Sequence, residues 1–183
     1  MSKSRIAYSY GCMMVTVPPF LANPIRDYAE TIPEPLRVIT EDASNGIPDE
    51  THITVKYGIL NDDIGEVAEA VFGTLPIVMK LGRAGVFHNL DAAVIRLSVD
   101  SRSLQRLHNK ICKKLNTINT HPGYHPHVTI AYMKQRQDDP YYYRTFFSDQ
   151  FEGLEFVADR VVYSTASGKR YSILFSGEVA LLN

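Results

Sequence analysis

Two short motifs, one in each half of the chain, place a threonine two residues after a histidine. They are His52-Ile53-Thr54-Val55 and His127-Val128-Thr129-Ile130, and each stands in a run of β-prone residues. Side chains at positions i and i+2 of a strand point to the same face, so each histidine lies beside its threonine while the aliphatic residues face the other way. Two imidazoles and two hydroxyls could therefore converge on one ligand.

This set of groups suits the cleavage of a phosphodiester bond. An unperturbed imidazole has a pKa of about 6.5, so one ring can accept a proton while the other donates one. In-line attack at phosphorus needs a base, an acid and hydrogen-bond donors for the developing charge, and Thr54 and Thr129 could be those donors. Either motif alone could be merely a half-exposed strand face. Their recurrence in matching contexts favours a site.

The elements that must position the first motif can be read from turn and helix signals. We predict a strand at 11–17, a helix from Asn23-Pro24 to Pro33, an exposed loop at 33–50 and the motif strand at 51–57. A helix capped by Asp62-Asp63 and ending at Gly73 should follow.

The second motif follows the same order of elements. An extended segment at 77–87, bent at Gly82 and Gly85, leads to a strand at 92–99, a helix capped by Asp100-Ser101 and the motif strand at 127–133. We interpret the shared order of strand, helix, loop and motif strand as a weak internal duplication.

Beyond the second motif the patterns are less regular. Residues 134–150 could form a loop or a short helix over the site, and 151–162 with 171–175 could form a hairpin that turns at Ser167-Gly168. These patterns predict an α+β fold with antiparallel sheets. We expect one domain over residues 1–183, with lobes at about 11–90 and 91–176, possible exchange of strands between them, and a cleft that presents one motif from each.

Composition limits the class of ligand and the compartment. The 183 residues are 45% hydrophobic and 21% charged, which is typical of a folded globular chain. With 19 basic and 20 acidic residues, the chain lacks the positive field of a non-specific duplex binder, so a small phosphorylated ligand fits better. No apolar run approaches about 20 residues and no signal-type apolar core follows residues 1–5, so we expect no membrane association and a cytoplasmic protein. Cys12 and Cys112 are expected to be reduced thiols.

The two motifs with their flanks resemble a known family. The segments Thr51-His52-Ile53-Thr54-Val55-Lys56-Tyr57-Gly58 and Pro126-His127-Val128-Thr129-Ile130-Ala131-Tyr132 are similar to the paired signatures of the 2H phosphoesterases, which include the 2′-5′ RNA ligase-like proteins. Gly85-Val86-Phe87 and the strand and helix over 94–115 match the family's order, and the resemblance covers about 10–175. It implies a bilobal, pseudo-symmetric LigT-like fold with two antiparallel sheets and outer helices. It also implies metal-independent chemistry without a cofactor, catalytic roles for His52 and His127, and phosphate contacts from Thr54 and Thr129.

Within that superfamily the motif forms look most like phage-borne and bacterial members. One phage group comprises anti-CBASS nucleases, which destroy the cyclic oligonucleotide signals of a bacterial immune system. The resemblance therefore implies a cyclic oligonucleotide or a short RNA-type phosphodiester as substrate, in the host cytoplasm if the protein is phage-encoded. Alternatives are a phosphodiesterase for 2′,3′-cyclic phosphates or 2′-5′-linked RNA, and a catalytically silent module that sequesters a nucleotide.

Four further residues are candidates for substrate binding. Tyr10 and Phe87 could stack on bases, although Tyr10 could equally belong to the core and a core position is the favoured interpretation of Phe87. Lys56 shares strand parity with His52 and Thr54 and could add positive charge, or could be a solvated lysine. Glu155 could contact a base edge or a ribose, but an exposed strand carboxylate is the favoured interpretation.

A metal site is the remaining alternative for the histidines. His121, His125 and His127 could in principle bind zinc, but Pro122 and Pro126 disrupt regular ligand geometry and His127 already has a role. We therefore predict no metal and expect His125 to orient or flank the site.

Overall fold

A curled antiparallel sheet carries both motifs. The structure, a computed structural model, describes residues 10–40, 43–88, 91–119, 123–135 and 139–182. Within them lie nine strands: β1 (Gly11–Thr16), β2 (His52–Ile59), β3 (Ile77–His88), β4 (Ala93–Asp100), β5 (His127–Met133), β6 (Glu155–Ala158), β7 (Arg160–Ser164), β8 (Arg170–Leu174) and β9 (Val179–Leu182). The helices are α1 (Pro19–Glu30), α2 (Ile64–Val71), α3 (Arg102–Lys114) and α4 (Asp139–Phe151), with a short 3₁₀ turn at Glu34–Leu36.

The strand order divides the sheet into two halves. It runs β6-β3-β4-β5-β2-β1-β7-β8-β9, and each pairing is antiparallel. The halves meet where the two motif strands, β2 and β5, pair through Ile53 and Val128. Only Asp159 separates β6 at one edge from β7 in the other half, so the sheet must curl to bring them together. The mixed fold with antiparallel halves is the one the sequence predicts.

The exchange of strands moves the boundary between the halves. β3 pairs with β4 and β6, whereas β7, β8 and β9 extend the half that contains β1 and β2. Relative to the predicted lobes, which left room for such an exchange, β3 precedes residue 90 but lies in the half of β4 and β5, and β7 to β9 follow it but lie in the half of β1 and β2.

One face of the sheet is buried against the helices. Ile53, Val55, Val128 and Ile130 belong to a single hydrophobic cluster with residues from all four helices, namely Leu21, Ile25, Ala29, Val67, Ala68, Ala70, Val71, Leu104, Leu107, Ile111, Phe147 and Phe151. Burial of this apolar surface drives the folding of the sheet. The two His-x-Thr pairs occupy the opposite face because strand side chains alternate.

The predicted helix caps are present in α2 and α3. An oxygen of Asp63 accepts a hydrogen bond of 2.7 Å from the amide of Gly65, and the Ser101 hydroxyl accepts one of 3.2 Å from the amide of Leu104. The start of α1 was predicted wrongly: the helix begins at Pro19, and Pro24 lies inside it. Pro19 also suits a first helical position, where no amide hydrogen is required.

The segment at 33–50 is less exposed than predicted. Ala43 and Ile47 are buried, and the chain pairs with the end of β5 through the amide of Val38, which donates to the Tyr132 carbonyl at 2.9 Å. A matching contact joins the loop between α3 and β5 to strand β2, since the Ile118 amide donates to the Gly58 carbonyl at 2.9 Å. Each loop that precedes one motif strand thus borders the other motif strand, a pseudo-two-fold arrangement.

The C-terminal part differs from its prediction in three ways. Residues 139–151 form α4, whose Phe147 and Phe151 enter the core beside α1, so the described helix does not cover the site. Residues 151–162 are not one strand: β6 and β7 pair in different halves of the sheet. The turn containing Gly168 joins β7 to β8 as predicted, but the sequence did not predict β9. None of the described helices is long and apolar enough to span a membrane.

Candidate active site

The register of β2 and β5 brings the two motifs together. Ile53 pairs with Val128, and on antiparallel strands this puts His52 and Thr129 at one end of the contact and Thr54 and His127 at the other. The pairing therefore alternates imidazole and hydroxyl groups around one point on the open face.

Both imidazoles are oriented by the same local hydrogen bond. Nδ1 of His52 lies 3.0 Å from the Glu50 carbonyl oxygen, and Nδ1 of His127 lies 2.8 Å from the His125 carbonyl oxygen. A carbonyl only accepts, so each Nδ1 must carry a hydrogen and each neutral ring keeps its lone pair on Nε2. The two rings thus share one tautomer. His125 orients His127, and it does so through its backbone.

A β-bulge in each motif strand changes the parity after the threonine. Along β1, Met14 pairs with Thr54 but Met13 pairs with Lys56, so Val55 is an extra residue in β2. Along β4, Arg96 pairs with Thr129 but Ile95 pairs with Ala131, which makes Ile130 the extra residue in β5. Two consecutive residues in each strand are consequently buried.

The bulges bring a tyrosine from each strand onto the histidine face. Tyr57 pairs with Cys12, which alternates with Met14, and Tyr132 pairs with Val94, which alternates with Arg96. Sequence reasoning missed both tyrosines because strict alternation would direct them into the core. The signal was present, since both motifs read His-x-Thr-x-x-Tyr.

The bulge in β2 also turns Lys56 away from the site. Lys56 is 6% exposed, and its Nζ donates a hydrogen bond of 2.8 Å to the Ile118 carbonyl. The prediction that it shares a face with His52 and Thr54 was wrong, because the extra residue shifts the alternation by one.

Two aromatic contacts lie on either side of the motifs. The rings of Tyr10 and Tyr57 meet edge to face at 5.9 Å, beside the first motif. The ring of Phe87 meets the imidazole of His127 edge to face at 5.7 Å, beside the second. Phe87 is 38% exposed, so it is available for contact with a ligand.

Glu155 lies apart from these groups. It is on β6, three strands from β5, and forms a cross-strand ion pair with Lys80 at 3.8 Å between Nζ and Oε1. The structure therefore does not bring Glu155 to the motifs, and the alternative of an exposed strand carboxylate describes it.

Beneath the bulge of β2, two side chains hold consecutive carbonyl groups. Tyr124 donates from its hydroxyl to the Thr54 carbonyl at 3.1 Å, and His108 donates from Nδ1 to the Val55 carbonyl at 2.7 Å. Their rings stack with centroids 4.0 Å apart. Burial lowers the pKa of His108, with a smaller contribution from the charge of Lys56, and burial raises the pKa of Tyr124. Neutral forms of both groups thus stabilise the strand that carries Thr54.

The other histidines and the two cysteines are the remaining candidates for metal ligands. Within the described residues, no group of three or more His, Cys, Asp or Glu side chains is placed to hold a metal ion, and His121 lies outside those residues. Cys12 and Cys112 are half-buried thiols.

Comparisons with known proteins relate the chain to one family and one fold. Residues 28–169 match the model of the 2′-5′ RNA ligase superfamily. Usb1 from Kluyveromyces marxianus, solved with uridine monophosphate, has 9% identity and a TM-score of 0.50, with 92% of this chain and 99% of that chain covered. Escherichia coli LigT, solved with 3′-AMP, has 14% identity and a TM-score of 0.51, with 95% of each chain covered. A structure described as a phosphoesterase has 13% identity and a TM-score of 0.52, with 94% of this chain and 92% of that chain covered. No curated protein sequence matches.

Proposed function

The chain belongs to the 2′-5′ RNA ligase superfamily of 2H phosphodiesterases, and on that premise we propose that it cleaves 3′-5′ phosphodiester bonds of cyclic oligonucleotide signals without a metal ion. The observation that carries the proposal is the alternation of His52, Thr129, Thr54 and His127 about the Ile53–Val128 pair. It supplies two proton-transfer groups and two donors on one open face.

The proposed reaction uses the Nε2 atoms of the two histidines. One neutral Nε2 removes the proton of a ribose 2′-hydroxyl, whose oxygen attacks phosphorus and forms the new O–P bond. The other Nε2 donates its proton to the 5′-oxygen as the P–O5′ bond breaks. Thr54 and Thr129 donate hydrogen bonds to the non-bridging oxygens. Water can open the resulting 2′,3′-cyclic phosphate with the histidine roles reversed.

The aromatic residues support a substrate with a nucleoside on each side of the phosphate. Tyr10 and Tyr57 lie beside the first motif, and Phe87 lies beside the second. A base stacked on an aromatic side chain contributes about 1–3 kcal/mol. The phosphorus of a terminal 2′,3′-cyclic phosphate is bonded to only one nucleoside, which could use only one of the two aromatic groups. Each phosphate of a cyclic oligonucleotide joins two nucleosides, which could use both.

The test is turnover in EDTA with a panel of cyclic dinucleotides, cyclic trinucleotides, 2′,3′-cyclic nucleotides and 2′-5′ adenylates. We expect cleavage of a cyclic oligonucleotide by the native protein. Because each histidine carries a proton-transfer step, His52→Ala and His127→Ala should each lower the rate about 10²–10⁴-fold. His88→Ala is the matched control, because His88 is exposed at the end of β3 and should leave the rate unchanged.

The other outcomes assign a different function. Cleavage of the 2′,3′-cyclic or 2′-5′-linked compounds alone would indicate that the protein acts in RNA-end processing. Tight binding without product would leave a module that sequesters nucleotides. Full activity in both histidine variants would refute the mechanism.

A further inference from the structure

We propose that Arg96 is a substrate-contacting residue that binds the phosphate on the β5 side of the site and makes the two halves of the site unequal. The inference rests on the proposed function for the identity of the ligand, but its test requires only binding. Arg96 is not part of either motif, and neither its sequence context nor the match to the family assigns it a role.

Arg96 is placed by the sheet register. It pairs with Thr129 across β4 and β5, so both side chains project from the same face as His127. The Cβ atoms of such a pair are about 4.5–5.5 Å apart, a distance that the arginine side chain can easily span. The guanidinium can therefore reach the group that the Thr129 hydroxyl contacts.

Neighbouring residues define the position of the guanidinium. Its carbon lies 6.0 Å from the centroid of the Phe87 ring, and the same ring meets the His127 imidazole. On the other side of β4, Gly85 pairs with Arg96, and a Cβ added there would lie 3.8 Å from the guanidinium carbon. The side chain thus lies along the strand surface between Gly85 and Phe87 instead of extending into solvent.

The charge of Arg96 is available to a ligand. In the described part of the chain, no carboxylate forms an ion pair with it, whereas Arg26, Arg83, Arg160 and Arg170 each pair with one. Contact with an aromatic ring leaves the five N–H donors of a guanidinium able to bind in the ring plane. Planar pairs of N–H groups match the non-bridging oxygens of a phosphate.

Among the described residues, the position equivalent to Arg96 in the other half of the site is not a cation. The pseudo-two-fold relation of β2 and β5 equates β1 with β4, and the residue that pairs with Thr54 is Met14, which is 8% exposed. Met14 in turn pairs with Val162 where Arg96 pairs with Gly85. On the open face of the described sheet, the residue beside Thr54 is therefore the apolar Met14, and the residue beside Thr129 is the positively charged Arg96. This difference orients an anionic group toward Arg96.

Binding of 3′-AMP, 5′-UMP and adenosine to the native protein, Arg96→Met and Arg96→Lys tests the proposal. Arg96→Met reproduces the residue at the equivalent position of the other half, and Arg83→Gln is a control that removes an exposed arginine whose side chain pairs with Glu152. A charge-assisted hydrogen bond is worth a factor of about 10–100 in affinity. We expect Arg96→Met to weaken the binding of both nucleotides by this factor and Arg96→Lys to restore part of it, with adenosine and the control unchanged.

The nucleoside separates a phosphate contact from a structural effect. Equal weakening of adenosine and 3′-AMP, unchanged nucleotide affinity in Arg96→Met, or native binding that does not depend on the phosphate would each overturn the proposal. Cleavage is measured separately from binding. If binding depends on the phosphate and on Arg96 but no substrate is cleaved, the proposed function is rejected and this inference stands.

Discussion

At the scale of single residues, the orientation of side chains matters more than their identity. His52 and His127 gain equivalent tautomers because each Nδ1 donates to a backbone carbonyl two residues earlier. His108 makes a similar bond to Val55, but its ring faces the core and stacks on Tyr124. The same residue type thus serves as a candidate proton-transfer group on one face and as a support on the other.

The environment of His108 predicts a pH dependence of stability. Burial lowers its pKa, so below about pH 6.5 the unfolded chain takes up a proton more readily than the folded one. The stabilisation is therefore complete above that pH and declines as the pH falls toward the lowered pKa. In His108→Asn, whose amide nitrogen can replace Nδ1, the melting temperature should fall less steeply between pH 8 and pH 5.

The matched control for that measurement is His88→Asn, a replacement of an exposed histidine. In this variant the melting temperature should depend on pH as steeply as in the native protein, because His88 is exposed whereas His108 is partly buried. Identical slopes in all three proteins would show that His108 does not contribute to the pH dependence.

At the scale of elements, a one-residue bulge decides which residues share the site. Val55 and Ile130 each add a residue to a motif strand, and the alternation after them is reversed. Tyr57 and Tyr132 then join the histidine face, and Lys56 leaves it.

Lys56→Met tests this assignment of faces. The exchange keeps most of the aliphatic stem but removes the hydrogen bond to the Ile118 carbonyl, so we expect a loss of about 1–3 kcal/mol in the free energy of unfolding. The affinity for 3′-AMP should stay at the native value, in contrast to the loss expected for Arg96→Met. Denaturant unfolding measures the change in stability, and calorimetric titration measures the affinity. Weaker nucleotide binding in Lys56→Met would instead support the sequence prediction that Lys56 shares a face with His52 and Thr54.

At the scale of the whole molecule, the site depends on the contact between two halves of the sheet. β2 and β5 pair through Ile53 and Val128, both fully buried, and the motif residues lie one position to either side. The distance between the histidines is therefore set by packing at this pair.

Ile53→Ala tests the coupling between this contact and activity. Removal of a buried aliphatic side chain should lower the free energy of unfolding by about 2–5 kcal/mol, and relaxation around the cavity should also misplace His52 and lower kcat. Ile173→Ala is the control, since Ile173 is equally buried on β8, away from the contact between the halves. It should lose stability without a comparable loss of kcat at a temperature where both variants are folded. A loss of kcat that merely follows stability in both variants would contradict the role of the contact.

The sequence alone determined the motif strands, the caps at Asp63 and Ser101 and the antiparallel α+β class, because these follow from local periodicity and hydrogen-bond chemistry. It also named Phe87 as a candidate for base stacking, but the contact of this ring with His127 came only from the structure. The tertiary structure decided what depends on pairing between distant segments: the exchange of β3 and β7 to β9 between the halves, and the position of Arg96 beside Thr129. Bulges and register are fixed by the partner strand, so strict alternation within β2 predicted the opposite of the observed faces, in which Lys56 turns inward and Tyr57 outward.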